Sequence, residues 1–314
     1  MWRWPPVDAT KTMQITAAVA AVGLLPMPAV LPPYPLVELC YALVFAIACL
    51  GLNLVFGTTG LLSLGHAAYF GLGAYAGAFV FHAADLRSLE AYLVLGVLTA
   101  AAVAALTGAW CLGATRIHFT ILTLACGQLV HALFVSGTAY RPLGDYGKGL
   151  YFVGDGGLYI PRFSILGSEP APEAFIPALY YVILAALFLS LGVLWRVTRS
   201  PFGVALNAIR DNDVRAAFIG IPVRAYRWRA LVLSGAITGL AGGLYGQLDR
   251  QVTPEQLHWL FSAKLVVATT VGGTRWFLGP VVGGAAFVAL EHLASRVTFR
   301  GLVLGALLSV VVFV

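Results

Sequence analysis

Long apolar runs separated by short polar breaks dominate this chain. A membrane-spanning helix needs about 20 mostly apolar residues. Runs of that kind cover 13–31, 35–56, 61–84, 91–114, 117–137 and 175–195, and after a polar interval 230–248, 259–273, 277–295 and 301–314. The pattern predicts an all-α, polytopic transmembrane bundle of about ten helices. Residues 1–314 read as a single domain with two long connections, 138–174 and 196–229. The first run follows Arg3 and Lys11 and is interrupted by Pro26 and Pro28. It reads as a first transmembrane helix rather than a cleaved leader, because it has no clear small-residue cleavage site and more spans follow. The last run is still apolar at Val314, so that helix either stops at the membrane face or continues into a short tail.

Composition sharpens this picture. The 314 residues are 60% hydrophobic and 10% charged, with a mean hydropathy of +0.88. Soluble domains carry roughly a quarter charged residues, so there is too little polar surface for a water-soluble globule. A disulfide scaffold, a disordered chain and a nucleic-acid module are excluded on the same ground. The net charge of +6 is gathered in loops, as positive-inside topology requires. Segment 196–229 holds seven arginines (196, 199, 210, 215, 224, 227 and 229) against Asp211 and Asp213. We therefore expect it in the cytoplasm. Counting helices then puts the N-terminus and the Arg275 turn inside, with 138–174 and 249–258 outside. Arg296 and Arg300 would face outward, against the rule. Cys40, Cys49, Cys111 and Cys126 lie in apolar runs without metal-site spacing and read as buried thiols.

Three stretches interrupt the helical pattern. Gly57-Thr58-Thr59-Gly60 is followed by Ser63, Gly65 and His66. This is either a helix broken at membrane depth, which is tolerated where protein or a watery cavity shelters it, or a plain turn. The eighth run, of about 15 residues, would reach about 22 Å, short of the ~30 Å hydrocarbon core. With Gly272, Gly273, Gly279 and Pro280 close behind it, it is either a re-entrant half-helix or a full span. The outer Gly154-Asp155-Gly156-Gly157 and Pro161 suit a structured loop that forms a docking face or a lid, or equally a plain solvated connection. Glycines also recur four apart, at 73/77, 235/239/243, 279/283 and 301/305, a spacing that lets helices pack closely in lipid.

Polar residues within the runs are few: Glu38, Asn53, His66, His118, Gln128, His131, Lys264, Glu291 and His292. Glu38 and Lys264 lie close enough to run ends to snorkel, and Glu291 and His292 are near an outer end. Asn53 and Gln128 suit interhelical hydrogen bonds, and His66 and Gln128 are expected to face the bundle interior. The translocation-pathway candidates are Asn53, Ser63, His66, Gln128, Gly272 and Gly273.

The polar interval has its own order. Ser200 and Pro201 can open a helix. Phe202, Leu206 and Ile209, then Val214, Ala217 and Phe218, recur at helical spacing before Gly220 and Pro222 stop the run. Two short amphipathic helices joined by an Arg210-Asp211-Asn212-Asp213 turn are expected. They would dock in a groove of another protein or lie on anionic lipid. The chain has no G-x-x-x-x-G-K-[ST] nucleotide loop, and its loops offer no nucleophile–base pair or metal cluster. It does not read as an ATPase or as an enzyme in its own right. An ATP-driven motor would be a separate subunit docking on this elbow, with Phe202, Leu206 and Ile209 entering its groove and Arg210 and Asp211 fixing the turn.

These residues carry a resemblance. Gly51-Leu-Asn53-Leu with Gly57-x-x-Gly60-Leu-Leu-Ser63-Leu-Gly65-His66-Ala-Ala-Tyr-Phe-Gly71-Leu-Gly73-Ala74-Tyr75 is similar to a stretch of LivM-type permease subunits of branched-chain amino acid ABC importers. So are Ser200-x-Phe202-Gly203 through Ala208-Ile-Arg210-Asp, Ala216-Ala217 to Gly220-Ile, Leu240-Ala-Gly-Gly243-Leu-Tyr245, and Val271-Gly-Gly273 to Gly279-Pro280. The likeness runs from about Leu39 to the end.

It implies import of branched-chain or related amino acids by alternating access across a bacterial inner membrane. It also implies a homologous second permease, a periplasmic solute-binding protein and two cytoplasmic ATPases that bind the ATP and magnesium, with no cofactor in this chain. Relatives carrying urea, amides or small organic acids keep those solutes open. The ATPase-coupling residues it implies are Phe202, Gly203, Leu206, Ile209, Arg210, Asp211, Ala216, Ala217 and Gly220. Gln128 stands where the family often has an acid, and 154–157 only partly matches an outer Thr-Gly-Gly; both bear on the solute. An ion-coupled carrier, the rival class, would want paired intramembrane acids, and only Glu38 and Glu291 are available.

Overall fold

The computed structural model describes residues 23–84, 87–113, 116–136, 157–165, 167–295 and 305. The described residues form eleven α-helices with almost no sheet. They are α1 (Met27–Val30), α2 (Pro33–Thr59), α3 (His66–Ala84), α4 (Leu89–Cys111), α5 (Arg116–Val135), α6 (Phe175–Arg199), α7 (Pro201–Asp211), α8 (Asp213–Phe218), α9 (Val223–Asp249), α10 (Trp259–Gly272) and α11 (Gly279–Ser295). Two-residue strands β1 (Leu158–Tyr159) and β2 (Gln251–Val252) pair antiparallel, and Pro254–Leu257 forms a 3-10 turn. Five helices, α2, α4, α5, α6 and α9, are long and apolar enough to cross a membrane. The expected helical membrane bundle is therefore found.

The structure corrects several expected runs. Run 61–84 begins as a helix only at His66, because residues 60–65 are not helical. The helix before it continues through the expected breaker to Thr59 and ends at Gly60, whose φ of 70° favours glycine. The runs at 259–273 and 277–295 become α10 and α11 of 14 and 17 residues. These reach only about 21 and 25 Å. Of run 13–31, residues from 23 onward are described, and they hold the short α1 behind Pro26. Run 301–314 lies outside the described residues apart from Gly305, as do Gly154, Asp155 and Gly156 of the outer loop.

Helix α9 is the hub and packs along α2, α3 and α4. Glycine makes this approach possible: a Cβ on Gly96 would lie 2.7 Å from the Gly73 carbonyl oxygen, and one on Gly73 would lie 2.7 Å from Gly239 Cα. The α10–α11 hairpin packs against α2, where Phe45 stacks on Phe287 at 5.5 Å and meets Phe261 edge-on at 5.8 Å. The bundle has two chemically distinct ends. The arginine-rich end gathers the C-termini of α2, α4 and α6, helices α7 and α8, the start of α9 and the α10–α11 turn. The far end gathers the starts of α2, α4 and α6, the end of α9, and the open ends of α10 and α11.

Candidate functional site

The elbow at the arginine-rich end is built from local capping. The Ser200 hydroxyl accepts from Gly203 N–H at 3.4 Å and opens α7; Asn212 Oδ1 accepts from Arg215 N–H at 2.9 Å and opens α8. After α8, Gly220 takes φ 89°, and Ile221 N–H returns to the Ala216 carbonyl at 3.1 Å. Arg227 of α9 ties down α8 through Asp213, at 3.0 Å.

The side chains fall differently from the expectation. Gly203, Leu206 and Ile209 are buried within this chain, the latter two at 0% exposure, and Phe202 stacks on Tyr226 at 5.2 Å. The apolar face of α7 therefore seats on α2, α6 and α9 rather than standing free for a partner. An amphipathic helix buries its apolar stripe in the nearest apolar groove, and here that groove is internal. The free apolar surface belongs to α8, with Val214 exposed, Phe218 at 87% and Ile219 at 75% exposure. Ala216 is buried, while Ala217 and Gly220 are exposed. Beside them an open groove of about 690 Å3 is lined by Ala109, Ala217, Ile221, Pro222, Val223, Arg224, Ala225 and Trp228. Arg210 is not a surface charge awaiting a partner: its guanidinium donates to the Gly57 carbonyl at the end of α2. Asp211 is exposed, and the turn is held by Asn212 and Asp213.

The break between α2 and α3 is clasped by hydroxyls. Thr120 of α5 donates to the Leu62 carbonyl at 2.8 Å, and Thr123 accepts from Leu64 N–H at 3.3 Å. Ser262 of α10 accepts from Ala67 N–H at 2.7 Å. Non-helical backbone at membrane depth must be satisfied by protein, and these two helices supply the partners. Ser63 and His66 are both fully buried. Ser234 of α9 donates to the Gly51 carbonyl at 2.5 Å, and its lone pairs receive His66 Nε2–H at 2.7 Å. His66 Nδ1 lies 3.0 Å from the Ser63 hydroxyl. The network makes His66 a cross-brace between α2, the break and α9. Ser234→Ala would strand the His66 ring N–H, at a cost of about 1–3 kcal/mol for a buried unsatisfied group. We expect its unfolding temperature in detergent to drop by several degrees; an unchanged melting curve would contradict the brace.

The other pathway candidates are dispersed. Asn53 Oδ1 and Gln128 Nε2 are buried without a hydrogen-bond partner among the described residues, on α2 and α5 respectively. Gly272 lies where α10 and α11 nearly touch: its Cβ would collide with the Gly279 carbonyl. Gly273, at φ 88°, turns the hairpin in open space. The hydroxyl clasp escaped sequence reasoning because Ser and Thr are ordinary residues in membrane helices. The pairing of Lys264 with Glu291 (2.6 Å) and of His292 with Glu38 (3.5 Å) escaped it as well.

Comparison with known proteins agrees with this architecture. The family described as "Branched-chain amino acid transport system / permease component" matches residues 36–312. The high-affinity branched-chain amino acid transport system permease protein LivM of Escherichia coli is 29% identical over 245 residues, which is 74% of this chain and 56% of that protein. Its Salmonella typhimurium counterpart matches with the same identity and coverage. A probable branched-chain amino acid transport permease protein LivH of Methanocaldococcus jannaschii is 29% identical over 141 residues, 43% of this chain and 44% of that protein. The chain spans about half the length of the two LivM relatives. A family match over most of the chain, on a bundle of apolar helices, places this protein in the permease-component family of branched-chain amino acid transport systems.

Proposed function

We propose that this chain is the membrane permease subunit of an ABC importer for branched-chain or related amino acids. It has no engine of its own and works by alternating access. The observation that carries the reading is the capped elbow of α7 and α8, which displays Phe218 and Ile219 beside an open groove in a sequence without a nucleotide-binding loop. The arginine-rich end faces the cytoplasm of a bacterial cell, in accord with the positive-inside rule, and two ATPase subunits carrying ATP and magnesium grip it there. The N-terminus lies on the same side. A homologous second permease completes the conduit, and a periplasmic binding protein delivers solute to the far end. The family match and the names of the relatives support the solute class.

Motion delivered to α8 reaches the bundle through three links. The Asp213–Arg227 pair joins α8 to α9, the buried face of α7 rests on α2, α6 and α9, and Arg210 joins α7 to the end of α2. That end leads directly into the clasped break. It also lies against the α10–α11 turn, since a Cβ on Gly57 would stand 2.9 Å from the Thr274 carbonyl. Rigid helices joined at such points transmit a displacement as levers.

The test is reconstitution with the partner subunits. Leucine uptake should require ATP and the binding protein; uptake without the ATPases would overturn the transporter class, and ATP-driven uptake of other solutes only would overturn the solute. Phe218→Asp combined with Ile219→Asp should release the ATPases during detergent purification and leave the melting temperature of the permease unchanged. Leu206→Asp, by contrast, buries a charge and should unfold it. ATPases that stay bound to the double variant would remove α8 as the docking edge.

A further inference from the structure

The far end of α2, α10 and α11 carries charges that the elbow mechanism does not use. Lys264 Nζ meets Glu291 Oε1 at 2.6 Å, with the side chains 45% and 44% exposed. Beside them His292 Nδ1 lies 3.5 Å from Glu38 Oε2, and the Tyr34 ring is 5.9 Å from the His292 ring. Lys264 lies five residues into α10, about 7.5 Å from its start, and Glu291 reaches it from α11.

A charge pair half-exposed at that depth is costly against hydrocarbon. The faces of α4 and α5 that suit lipid look different, with Val94, Leu98, Leu106, Ile121 and Leu129 all exposed. On α10 the exposed Leu260 and the half-buried Val267 share the Lys264 face, so the two charges alone set it apart from the lipid-suited faces and call for a watery or protein-lined passage.

Its charges have a definite complement. An α-amino acid carries one carboxylate and one ammonium only a few ångströms apart. Such a zwitterion can insert into the Lys264–Glu291 pair by exchange, its carboxylate going to Lys264 and its ammonium to Glu291, with Glu38 near at hand. Every charge is paired before and after, so occupancy neither strands an ion nor demands a large gain, and binding stays weak enough for release. Leu260, one turn before Lys264 and exposed, offers an aliphatic flank.

We propose that Lys264 and Glu291, backed by Glu38 and His292, form a transit site for the paired charges of an amino acid at the far end of the conduit. The inference rests on the amino-acid importer reading and assigns its head-group contacts.

The experiment uses the full complex in proteoliposomes. A cysteine reporter, Ala263→Cys, is treated with a membrane-impermeant thiol reagent. We expect it to react, millimolar leucine to slow the reaction at least fivefold, and Lys264→Gln to abolish that protection. Isovalerate and isopentylamine, which carry one charge each, should not protect. In an otherwise native complex, Lys264→Gln and Glu291→Gln should each lower leucine uptake about tenfold, while ATP hydrolysis stimulated by the loaded binding protein stays within twofold. An unreactive reporter, absence of leucine protection, or protection by leucine that survives Lys264→Gln would overturn the site. A native complex that imports no leucine would instead defeat the importer reading itself.

Discussion

Replacing Arg210 with Glu is expected to lower solute uptake at least tenfold while the assembled complex continues to hydrolyse ATP. The last four carbonyls of a helix lack partners within it, and the helix end carries a partial negative charge. Arg210 answers both needs at once by donating to the Gly57 carbonyl. A glutamate there removes the donor and sets a negative charge against a negative helix end, a change of roughly 2 kcal/mol or more. The bundle keeps its fold, because Leu206 and Ile209 still anchor α7. What is lost is the joint between the elbow and α2, just before the break at 60–65. The ATPases remain docked on α8 and continue to turn over, but their stroke reaches α2 only through the packing of α7 and not through its end. ATP hydrolysis and labelled-leucine uptake measured in the same vesicles give the coupling ratio. Arg210→Lys, which keeps the charge and one donor, should retain intermediate uptake. Native uptake by the Glu variant would show that the stroke travels through the Asp213–Arg227 pair and the buried face of α7 without the Arg210 joint.

The bundle was legible because its signals are local. Apolar run length marks spanning helices, and Ser200-Pro201, Asn212 and Gly220 mark the helix ends of the elbow within a residue or two. The destination of an amphipathic face is not local. The spacing of Phe202, Leu206 and Ile209 shows that α7 has an apolar side, yet the groove receiving it is made by α2, α6 and α9, whose closure depends on the whole fold. The same holds for the break. Gly57 through Gly60 looked like the weak point, but intrahelical bonds such as Thr59 Oγ1 to the Val55 carbonyl at 2.6 Å accompany the helix to its end. The chain opens where Thr120, Thr123 and Ser262 wait to receive its backbone. Charges read singly also hide their partners: only the hairpin brings Lys264 and Glu291 together.

Gly239→Leu is expected to abolish recovery of monodisperse permease from membranes, and Gly239→Ala to lower its melting temperature by several degrees. Helices in lipid gain little from apolar burial and associate mainly through close packing, so the contact surface itself carries the stability. At the crossing of α3, α4 and α9 that surface is bare backbone. A Cβ on Gly239 would sit 2.8 Å from the Gly96 carbonyl oxygen and would collide with the Ala100 methyl. Relief requires α4 to move away from α9, but α4 is also held by Gly96 against the Gly73 backbone. One methyl of overpacking costs about 1–3 kcal/mol, or roughly 2–4 °C per kcal/mol for a chain of this order of size. Leucine adds three more carbons with nowhere to go. Gly192 on α6 is the control, since it is exposed and a Cβ there would meet nothing within 4 Å. Gly192→Leu should purify and melt like the native chain. If it fails alongside Gly239→Leu, the defect lies in leucine content or membrane insertion rather than in packing, and the crossing loses its assigned role. If Gly239→Leu instead purifies normally, α9 is not the hub, and the levers running from the elbow into the bundle must start from another helix.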